Sequence, residues 1–443
     1  MKRYLLLNLI AILLFSSKSF AQTFISGNIA TDSTWTLAAS PYIITDTTRI
    51  LTGATLTIEP GVTVKFANGK YIEIYHGKID AVGTASDSII FTSNSLTPYS
   101  GIWDQVHLNL DLNVHVCCHM AYCKFMYARY GLYADGNSSI DSVVIENSTW
   151  QNCTTAIYGG DANCMLDSCD LHNNGTGVGG MWVKLTNSTI SHNGNGVDGA
   201  PDNVLDHCIV RANQIGINYG GGNITYCIID SNTVNGIYFA SGYSNFIENN
   251  NIRNNGIGLI LHGGTNTHIN NNIFEYNSIG FRYEMGPISS IQCNKFCNNN
   301  SYDVYNDGSG NINLPGNYWC TSDSSLISHR VGTSYYPVTY MPVDIGSCGY
   351  GLLTSTIESE QDVFGINIYP NPNNGDFILS NIPVGYGEFV RISELTGRIV
   401  FEQKLADSKT EVKIQSDLNS GLYIWEIVCD NKVLNRRKFV VQK

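Results

Sequence analysis

The sequence predicts an all-β protein in which a right-handed parallel β-helix, a single-chain solenoid, precedes a small C-terminal β-sandwich. Short segments recur at a nearly constant period through the middle of the chain, and each carries apolar and asparagine residues at fixed positions. These repeats are rich in Gly, Asn, Thr, Ile and Tyr, which favours strands and tight turns. The last 79 residues leave this period and show alternating apolar strands instead.

The repeat becomes visible when one apolar residue per segment is taken as an anchor. Seven of the eight steps between anchors are 19 to 23 residues long, and the first step is 25. A period in this range indicates a solenoid whose repeats stack on their neighbours. The anchors are Phe125, Trp150, Leu171, Ile190, Val210, Ile229, Ile252, Phe274 and Phe296.

Asparagine occupies the third position after the anchor in seven consecutive repeats. Strands of stacked coils lie about 4.8 Å apart, so equal positions lie above one another. Stacked asparagines can pass amide hydrogen bonds between coils and tolerate the left-handed backbone of tight turns. We expect a structural file made of Asn174, Asn193, Asn213, Asn232, Asn255, Asn277 and Asn299.

An α-helical solenoid is the alternative for a repeat of this length. The repeats are poor in Ala, Glu, Lys and Leu, which are the residues that favour helices. Frequent Asn-Gly breaks also interrupt any 3.6-residue pattern. The β-solenoid is therefore favoured.

The chain begins with a predicted signal peptide over residues 1–21. Lys2 and Arg3 precede a short apolar stretch, and Ser19-Phe20-Ala21 provides a small-x-small cleavage motif. The β-helix with its N-terminal cap is expected over residues 22–349, with alternating strands at 43–92 forming the first coils and the cap. No later segment is apolar for long enough to span a bilayer, so we expect no transmembrane segment in the mature protein.

Residues 35–320 resemble the right-handed parallel β-helix proteins of bacteria. The likeness rests on the opening strands, on the repeats and on Asn317-Tyr318-Trp319-Cys320, which is similar to the closing segment of such helices. That family usually has glycine where this chain has Cys320. The departure implies that Cys320 has a partner, and we expect a disulfide between Cys320 and Cys348.

Residues 350–364 are polar and are interpreted as a linker, and residues 365–443 as a small β-sandwich. This segment resembles the type A C-terminal sorting domain of the type IX secretion system. The likeness runs in order through Tyr369-Pro370-Asn371-Pro372, Thr396-Gly397-Arg398, Ser420-Gly421-Leu422-Tyr423 and a basic final strand. It implies a Bacteroidota-type source, contact with the type IX machinery, removal of the domain, and attachment to the outer membrane surface or release.

The charge distribution limits the partners. Residues 22–364 hold 12 Lys plus Arg against 28 Asp plus Glu, whereas residues 365–443 hold 10 against 9. An acidic body binds polyanions poorly, so we expect no nucleic acid. An acidic polysaccharide would need a bridging metal; we expect no cofactor, with calcium left open.

Polysaccharide lyases and hydrolases also use this fold, and one carboxylate column could serve such chemistry. Glu146, Asp167 and Asp206 each lie four residues before an anchor. Stacking would place residues on neighbouring coils about 4.8 Å apart and residues on alternate coils about 9.6 Å apart. These distances span the separations between the two carboxylates of retaining and inverting glycosidases. Aspartate near a turn also caps its own backbone, and both interpretations stay open.

Five aromatic residues fall within two coils and are candidates for stacking on neutral sugar rings: Tyr219, Tyr226, Tyr238, Phe239 and Tyr243. The alternative is that they cover the coil surface, because aromatic residues favour strands. No metal site is expected, since His115, Cys117, Cys118 and His119 do not match the spacing of a closed zinc site.

These observations favour a secreted, monomeric surface module that binds extracellular glycan or mediates adhesion. The alternative is a polysaccharide-degrading enzyme, a glycosidase or lyase, on the same scaffold. A third hypothesis is a rigid spacer, which would retain no glycan.

Overall fold

The structure is a computed structural model that describes residues 22–443 apart from 111–116, 137–141, 161, 200–202, 220–221, 241–244, 264–265, 345–347, 349–365, 372, 381, 383–388, 395–397, 406–410 and 430–431. The predicted right-handed parallel β-helix is confirmed: the chain forms a parallel solenoid of about 13 turns, followed by antiparallel sheets in the C-terminal region. The predicted signal peptide and linker lie outside the described residues.

Each coil of the solenoid contributes one strand to each of three faces. Face 1 is a sheet of 12 parallel strands. Its strands are Ser33–Trp35, Thr55–Ile58, Lys78–Val82, Cys117–Ala121, Ser142–Glu146, Asn163–Asp167, Val183–Thr186, Asn203–Asp206, Gly222–Thr225, Asn245–Glu248, Thr267–Asn270 and Ile288–Gln292.

Faces 2 and 3 are two rows of one 25-stranded sheet, joined where Thr23–Ile29 and Tyr42–Ile50 pair along both rows. Face 2 continues with Thr63–Phe66, Ile89–Ser93, Cys123–Met126, Thr149–Gln151, Asp170–His172, Thr189–Ser191, Ile209–Arg211, Ile228–Asp230, Asn251–Arg253, Ile273–Glu275 and Lys295–Cys297. Face 3 continues with Ile72–Tyr75, Trp103–Asn109, Ala128–Asp135, Thr155–Gly159, Thr176–Gly180, Asn195–Gly199, Ile215–Tyr219, Asn235–Phe239, Ile257–His262, Ile279–Met285, Tyr302–Asn306 and Val331–Thr333.

The apolar side chains of the repeat fill the interior of the coils. All nine anchors are fully buried on face 2. Phe91, Phe125 and Trp150 stack across three coils, with ring centroids 4.7 and 5.0 Å apart. Each buried aliphatic or aromatic side chain contributes about 1.5–3 kcal/mol, so the repeat itself supplies the main stabilisation.

The seven asparagines lie in one buried file at the corner between faces 2 and 3. Asn213 shows the pattern: its backbone N–H and its Nδ2 both donate to Asn232 Oδ1 at 3.1 Å, and Nδ2 also donates to the Ile190 carbonyl at 3.1 Å. The file begins where the Cys153 N–H donates to Asn174 Oδ1. It ends where Asn299 donates to Asp303, which pairs with Arg330 at 3.1 Å.

A second file at the corner between faces 1 and 2 changes residue type along the stack. The Cys169 N–H donates to Ser188 Oγ at 3.0 Å, and the Cys227 N–H donates to Asn250 Oδ1 at 2.8 Å. From Asn250 the file continues through asparagines to Asn317. Small side chains at this corner thus serve the same purpose as asparagine, which is to satisfy the buried backbone N–H groups.

Two disulfides close the C-terminal end of the solenoid, and the predicted Cys320–Cys348 pair is wrong. Cys320 is bonded to Cys297, and Cys348 to Cys293. The reason is register: Tyr318 bridges Lys295 in parallel, so the closing segment forms one more lap on face 2 and Cys320 lies beside Cys297. A short helix, Ser324–Ser328, with Asp323 as its N-cap, follows this lap, and Ile312–Asn313 pairs with Val338–Thr339.

The C-terminal region contains two antiparallel sheets that share one apolar cluster. One comprises Asn367–Tyr369, Asp376–Ser380 and Glu411–Gln415, and the other comprises Phe389–Glu394, Ile399–Lys404, Gly421–Cys429 and Lys432–Val441. Trp425 is fully buried in that cluster, which also includes Val144 and Met165 from face 1 of the solenoid. In the described part of the chain, no helix has the length and apolarity needed to traverse a bilayer.

Candidate functional site

Face 3 carries a continuous file of outward positions, which we call the face 3 stripe. Its members are consecutive partners in the parallel register across ten coils, so at about 4.8 Å per coil the stripe is about 43 Å long. Such a length suits an extended ligand. The stripe consists of His107, Tyr133, Tyr158, Gly179, Asp198, Asn218, Tyr238, Ile260, Arg282 and Tyr305.

Four rings form an aromatic platform at the N-terminal end of the stripe: His107, Tyr130, Tyr133 and Tyr158. The rings of His107 and Tyr133 stack at 4.8 Å, and Tyr158 meets Tyr133 edge-on at 5.2 Å and Tyr130 at 5.5 Å. Parallel strands produce these contacts, because direct and diagonal neighbours on adjacent coils fall within reach of aromatic rings. Tyr158 remains 37% exposed, so the platform presents a ring to solvent.

A glycine allows the platform to extend over the next coil. Gly179 is the strand neighbour of Tyr158, and a Cβ atom added there would lie 3.1 Å from the Tyr158 ring. The ring therefore leans over the backbone of the following coil. A larger residue at 179 would push Tyr158 away from this position.

Burial keeps the platform histidine neutral. Burial lowers the pKa of His107, and the attraction of Glu73 and Asp135 opposes this only in part. Glu73 pairs with Arg49 at 2.6 Å; burial alone would raise the pKa of Glu73, but hydrogen bonds from Asn109 and Arg49 outweigh it and lower the pKa. At neutral pH the platform thus presents uncharged rings.

A charged network forms the opposite, polar end of the stripe. His262 Nδ1 lies 2.5 Å from Glu284, and the Tyr238 ring stacks against His262 at 5.9 Å. Arg282 lies between two carboxylates, 3.1 Å from Glu284 and 2.5 Å from Asp307. The Arg282 guanidinium offers hydrogen-bond donors, and the Glu284 and Asp307 carboxylates on either side of it offer acceptors.

The carboxylate column lies along face 1, where Glu146 and Asp167 are register partners on adjacent coils. Asp167 and Asp206 are separated by Thr186, which donates to Asp167 at 2.8 Å, and Thr225 donates to Asp206 at 2.7 Å. Burial alone would raise the pKa of Asp206, but hydrogen bonds from His207 and Thr225 hold it below the usual value. Glu146 lies 3.3 Å from His119 Nε2. Each carboxylate is thus engaged by a neighbour, which is the arrangement of a structural column.

The five nominated aromatic residues do not form one surface cluster. Phe239 is fully buried in the core, because it aligns with the inward Leu261 of the next coil, so its assignment as a binding residue is wrong. Tyr226 lies at the corner between faces 1 and 2 and stacks on His207. Tyr238 lies on the face 3 stripe. The Tyr219 side chain and Tyr243 lie outside the described residues.

No group of three or more metal-binding side chains occurs within the residues that the structure describes. Cys118 and Cys123 are buried, and His119 faces Glu146 on the outside of the sheet. Calcium therefore stays an open expectation with no site assigned to it.

The sequence contained a signal for the platform that the period alone did not reveal. Tyr133, Tyr158 and Tyr238 each follow an inward apolar residue, namely Leu132, Ile157 and Ile237. The residue after an inward position points outward in a strand. Following that outward file would have identified the stripe.

Three family models match this chain. Residues 367–442 match a secretion system C-terminal sorting domain. Residues 27–114 match a pectate-lyase like β-helix domain, and residues 107–232 match a right handed β-helix region.

Two curated relatives share short segments with the chain. Protein bark beetle of Drosophila melanogaster is 44% identical over 71 residues, which are 16% of this chain and 2% of that protein. Ulvan lyase NLR42 of Nonlabens ulvanivorans is 28% identical over 88 residues, which are 20% of this chain and 16% of that enzyme. The chain thus spans less than a fifth of the length of either relative.

Three solved structures share the solenoid fold at low sequence identity. The mannuronan C-5 epimerase AlgE6 A-module of Azotobacter vinelandii has 14% identity and a TM-score of 0.36, over 66% of this chain and 90% of that one. The periplasmic alginate epimerase AlgG has 11% identity and a TM-score of 0.31, over 68% and 76%. The tailspike gp49 of Acinetobacter baumannii bacteriophage Fri1, a capsular polysaccharide depolymerase, has 11% identity and a TM-score of 0.32, over 88% and 73%.

Proposed function

Because this chain is a right-handed parallel β-helix protein that its type IX sorting domain directs to export and attachment at the cell surface, we propose that its face 3 stripe binds a neutral extracellular glycan. The sorting domain implies contact with the secretion machinery during export. Display at the surface places the stripe where it meets polysaccharide outside the cell.

The aromatic platform is the observation that carries this proposal. Sugar rings have apolar faces that pack on aromatic rings, and Tyr adds a hydroxyl that can hydrogen-bond a sugar. Tyr130, Tyr133 and Tyr158 lie within 6.0 Å of one another on the outside of the solenoid. Three convergent tyrosines on an otherwise polar face favour a ligand with flat apolar surfaces.

The polar end of the stripe would orient the same glycan. Arg282, Glu284 and Asp307 hold one another in fixed positions and still leave part of each side chain accessible. Charged groups make hydrogen bonds roughly twice as strong as those between neutral groups, and glycan hydroxyls can both donate and accept. Stacking at one end and hydrogen bonding at the other fit a glycan that lies along the solenoid axis.

The charge of the solenoid favours a neutral rather than an acidic glycan. Residues 22–364 carry 28 acidic against 12 basic side chains. The polar end has two carboxylates around one guanidinium. A polyuronate would therefore approach against repulsion, which a neutral chain does not experience.

The carboxylate column does not support a glycosidase on face 1. A general acid of a glycosidase needs a raised pKa, whereas hydrogen bonds from His207 and Thr225 outweigh burial and lower the pKa of Asp206. Binding or adhesion is accordingly the function that we propose for the glycan contact.

A glycan array probed with the chain from residue 22 to residue 443 tests this proposal. We expect retention of neutral glycans and at least tenfold weaker binding by Tyr158→Asn, which corresponds to about 1.4 kcal/mol. Uronate-containing glycans, with and without calcium, form the second arm, and we expect little retention there.

Tyr276→Asn is the matched control. Tyr276 is exposed at a corner outside the stripe, and its left-handed backbone suits asparagine. Binding should be unchanged in this variant. Equal retention by Tyr158→Asn and the parent protein would contradict the platform, and no retention of any glycan would favour a rigid spacer.

A further inference from the structure

A cavity of about 400 Å³ lies beside the face 1 strand Ile288–Gln292, near the C-terminal end of the solenoid. Its wall mixes apolar and uncharged polar side chains, and no Lys, Arg, Asp or Glu lines it. A neutral ligand of small size fits such a lining. The wall includes Tyr283, Ser289 and Ser290.

The backbone is irregular where the strand Ile288–Gln292 enters this cavity. Thr267 pairs with Ile288, but the next residue, His268, pairs with Ser290, so Ser289 is an extra residue on this strand. A β-bulge of this kind re-aims the following side chain and is frequent next to active sites. Here it brings Ser290 into the cavity wall and opposite His268.

Ser290 and His268 form a hydrogen-bonded pair. Ser290 Oγ lies 2.9 Å from His268 Nδ1. The Asn270 amide donates to the same Oγ at 2.9 Å and to Glu248 Oε1 at 2.9 Å. In the His268 tautomer with its proton on Nε2, Nδ1 accepts the Ser290 hydroxyl proton while Oγ accepts from Asn270.

The imidazole is held in its plane by an aromatic neighbour. Phe246 stacks on His268 with ring centroids 4.8 Å apart and an angle of 12° between planes. The cavity wall is fixed as well, because Tyr283 donates to the Gly286 carbonyl at 2.9 Å. A fixed base within 2.6–3.2 Å of a hydroxyl at a cavity is the arrangement that activates a serine.

We propose that Ser290 is a nucleophile that cleaves small neutral esters, with His268 as its general base. Ser290 Oγ attacks the ester carbonyl carbon while its proton moves to Nδ1; the C–O bond to the alcohol breaks, and the alcohol leaves with that proton. Water then hydrolyses the acyl-serine, which releases a carboxylic acid and restores Ser290. An O-acyl group on a neutral sugar has the size and charge that the cavity admits.

The test uses the chain from residue 22 to residue 443 with two probes, a fluorophosphonate that labels activated serines and p-nitrophenyl acetate. We expect the fluorophosphonate to label Ser290. We expect the rate of p-nitrophenyl acetate hydrolysis to fall at least about 100-fold in both Ser290→Ala and His268→Gln. Acetate release from an acetylated neutral oligosaccharide should fall in parallel. The fluorophosphonate and p-nitrophenyl acetate readouts do not depend on glycan binding by face 3.

Ser278→Ala is the matched control, because Ser278 is an exposed serine that does not line the cavity. It should retain both labelling and hydrolysis. Melting curves of all variants verify that loss of activity is not loss of fold. The proposal would be overturned if the fluorophosphonate labelled another residue or did not label the parent chain. It would also be overturned if Ser290→Ala hydrolysed p-nitrophenyl acetate as fast as the parent chain.

Discussion

At the scale of single residues, the His207–Asp206 pair links stability to pH. Their side chains lie 3.0 Å apart, and the hydrogen bond with Asp206 raises the pKa of His207 while that of Asp206 is lowered. A raised histidine pKa contributes stability that is complete below about pH 6.5 and is lost as pH rises through the folded-state value. The aspartate contribution is present above about pH 3.9 and is lost as pH falls through its lowered value.

We expect His207→Gln to lower the free energy of unfolding near about pH 5.5 by less than about 1 kcal/mol, because both groups are partly exposed. The difference should shrink toward pH 9. Thermal melts of both proteins across this range measure it. His192→Gln is the control, since His192 has the same left-handed backbone and no ion pair within the described residues; a pH-independent difference for His207→Gln would contradict the linkage.

At the scale of the element, the asparagine file determines how each coil joins the next. Asn232 Oδ1 accepts from the Asn213 N–H and Nδ2, and Asn232 Nδ2 donates to the Val210 carbonyl at 3.1 Å. Asn232→Ala removes these three hydrogen bonds, so the buried Asn213 N–H and Val210 carbonyl lose this partner, while Asn213 Nδ2 keeps its bond to the Ile190 carbonyl. We expect a loss of about 3 kcal/mol or more in chemical denaturation, since each buried unpaired group costs about 1–3 kcal/mol.

Asn223→Ala provides the comparison for that variant. Asn223 lies on the outer side of face 1 and is only half-buried. Its replacement should change the free energy of unfolding by less than about 0.5 kcal/mol. If both variants lost similar amounts of unfolding free energy, burial of the asparagine in the file would not contribute to stability.

The elements differ in how far the sequence predicts them. The position of Asn232 follows from a spacing visible along the chain, because a stacked fold repeats its local chemistry. The partner of Cys320 does not follow, since it depends on Tyr318 adding a lap beside Lys295. Likewise, the period locates Tyr158, but only the paired strands reveal that its ring meets Tyr133.

At the scale of the whole molecule, six of the seven buried free thiols in the described residues report on the integrity of the central coils. They are Cys123, Cys153, Cys164, Cys169, Cys208 and Cys227. Burial raises the pKa of Cys153 and of Cys164 to about 12 and raises those of Cys123, Cys169 and Cys227 as well. The thiolate is the reactive form, so the folded stack should resist alkylation.

We expect no iodoacetamide modification of these six residues at about pH 8 in the folded protein, and full modification in guanidinium, because unfolding restores ordinary thiolate chemistry near a pKa of about 8.5. Peptide mass spectrometry assigns each site. The four cysteines of the two disulfides are the internal control, since they should become modified only after reduction. Rapid labelling of Cys208 or Cys227 without denaturant would indicate that the stack opens.

The end of the asparagine file gives the solenoid a direction. Every asparagine in it receives hydrogen bonds from the coil before and gives them to the coil after, so a new lap inserted between two others would find both partners waiting. Asp303 receives from Asn299 but, as a carboxylate held by Arg330, has no proton to give. Asp303 therefore ends the asparagine file, because a further coil could not continue it through the same side-chain hydrogen bond.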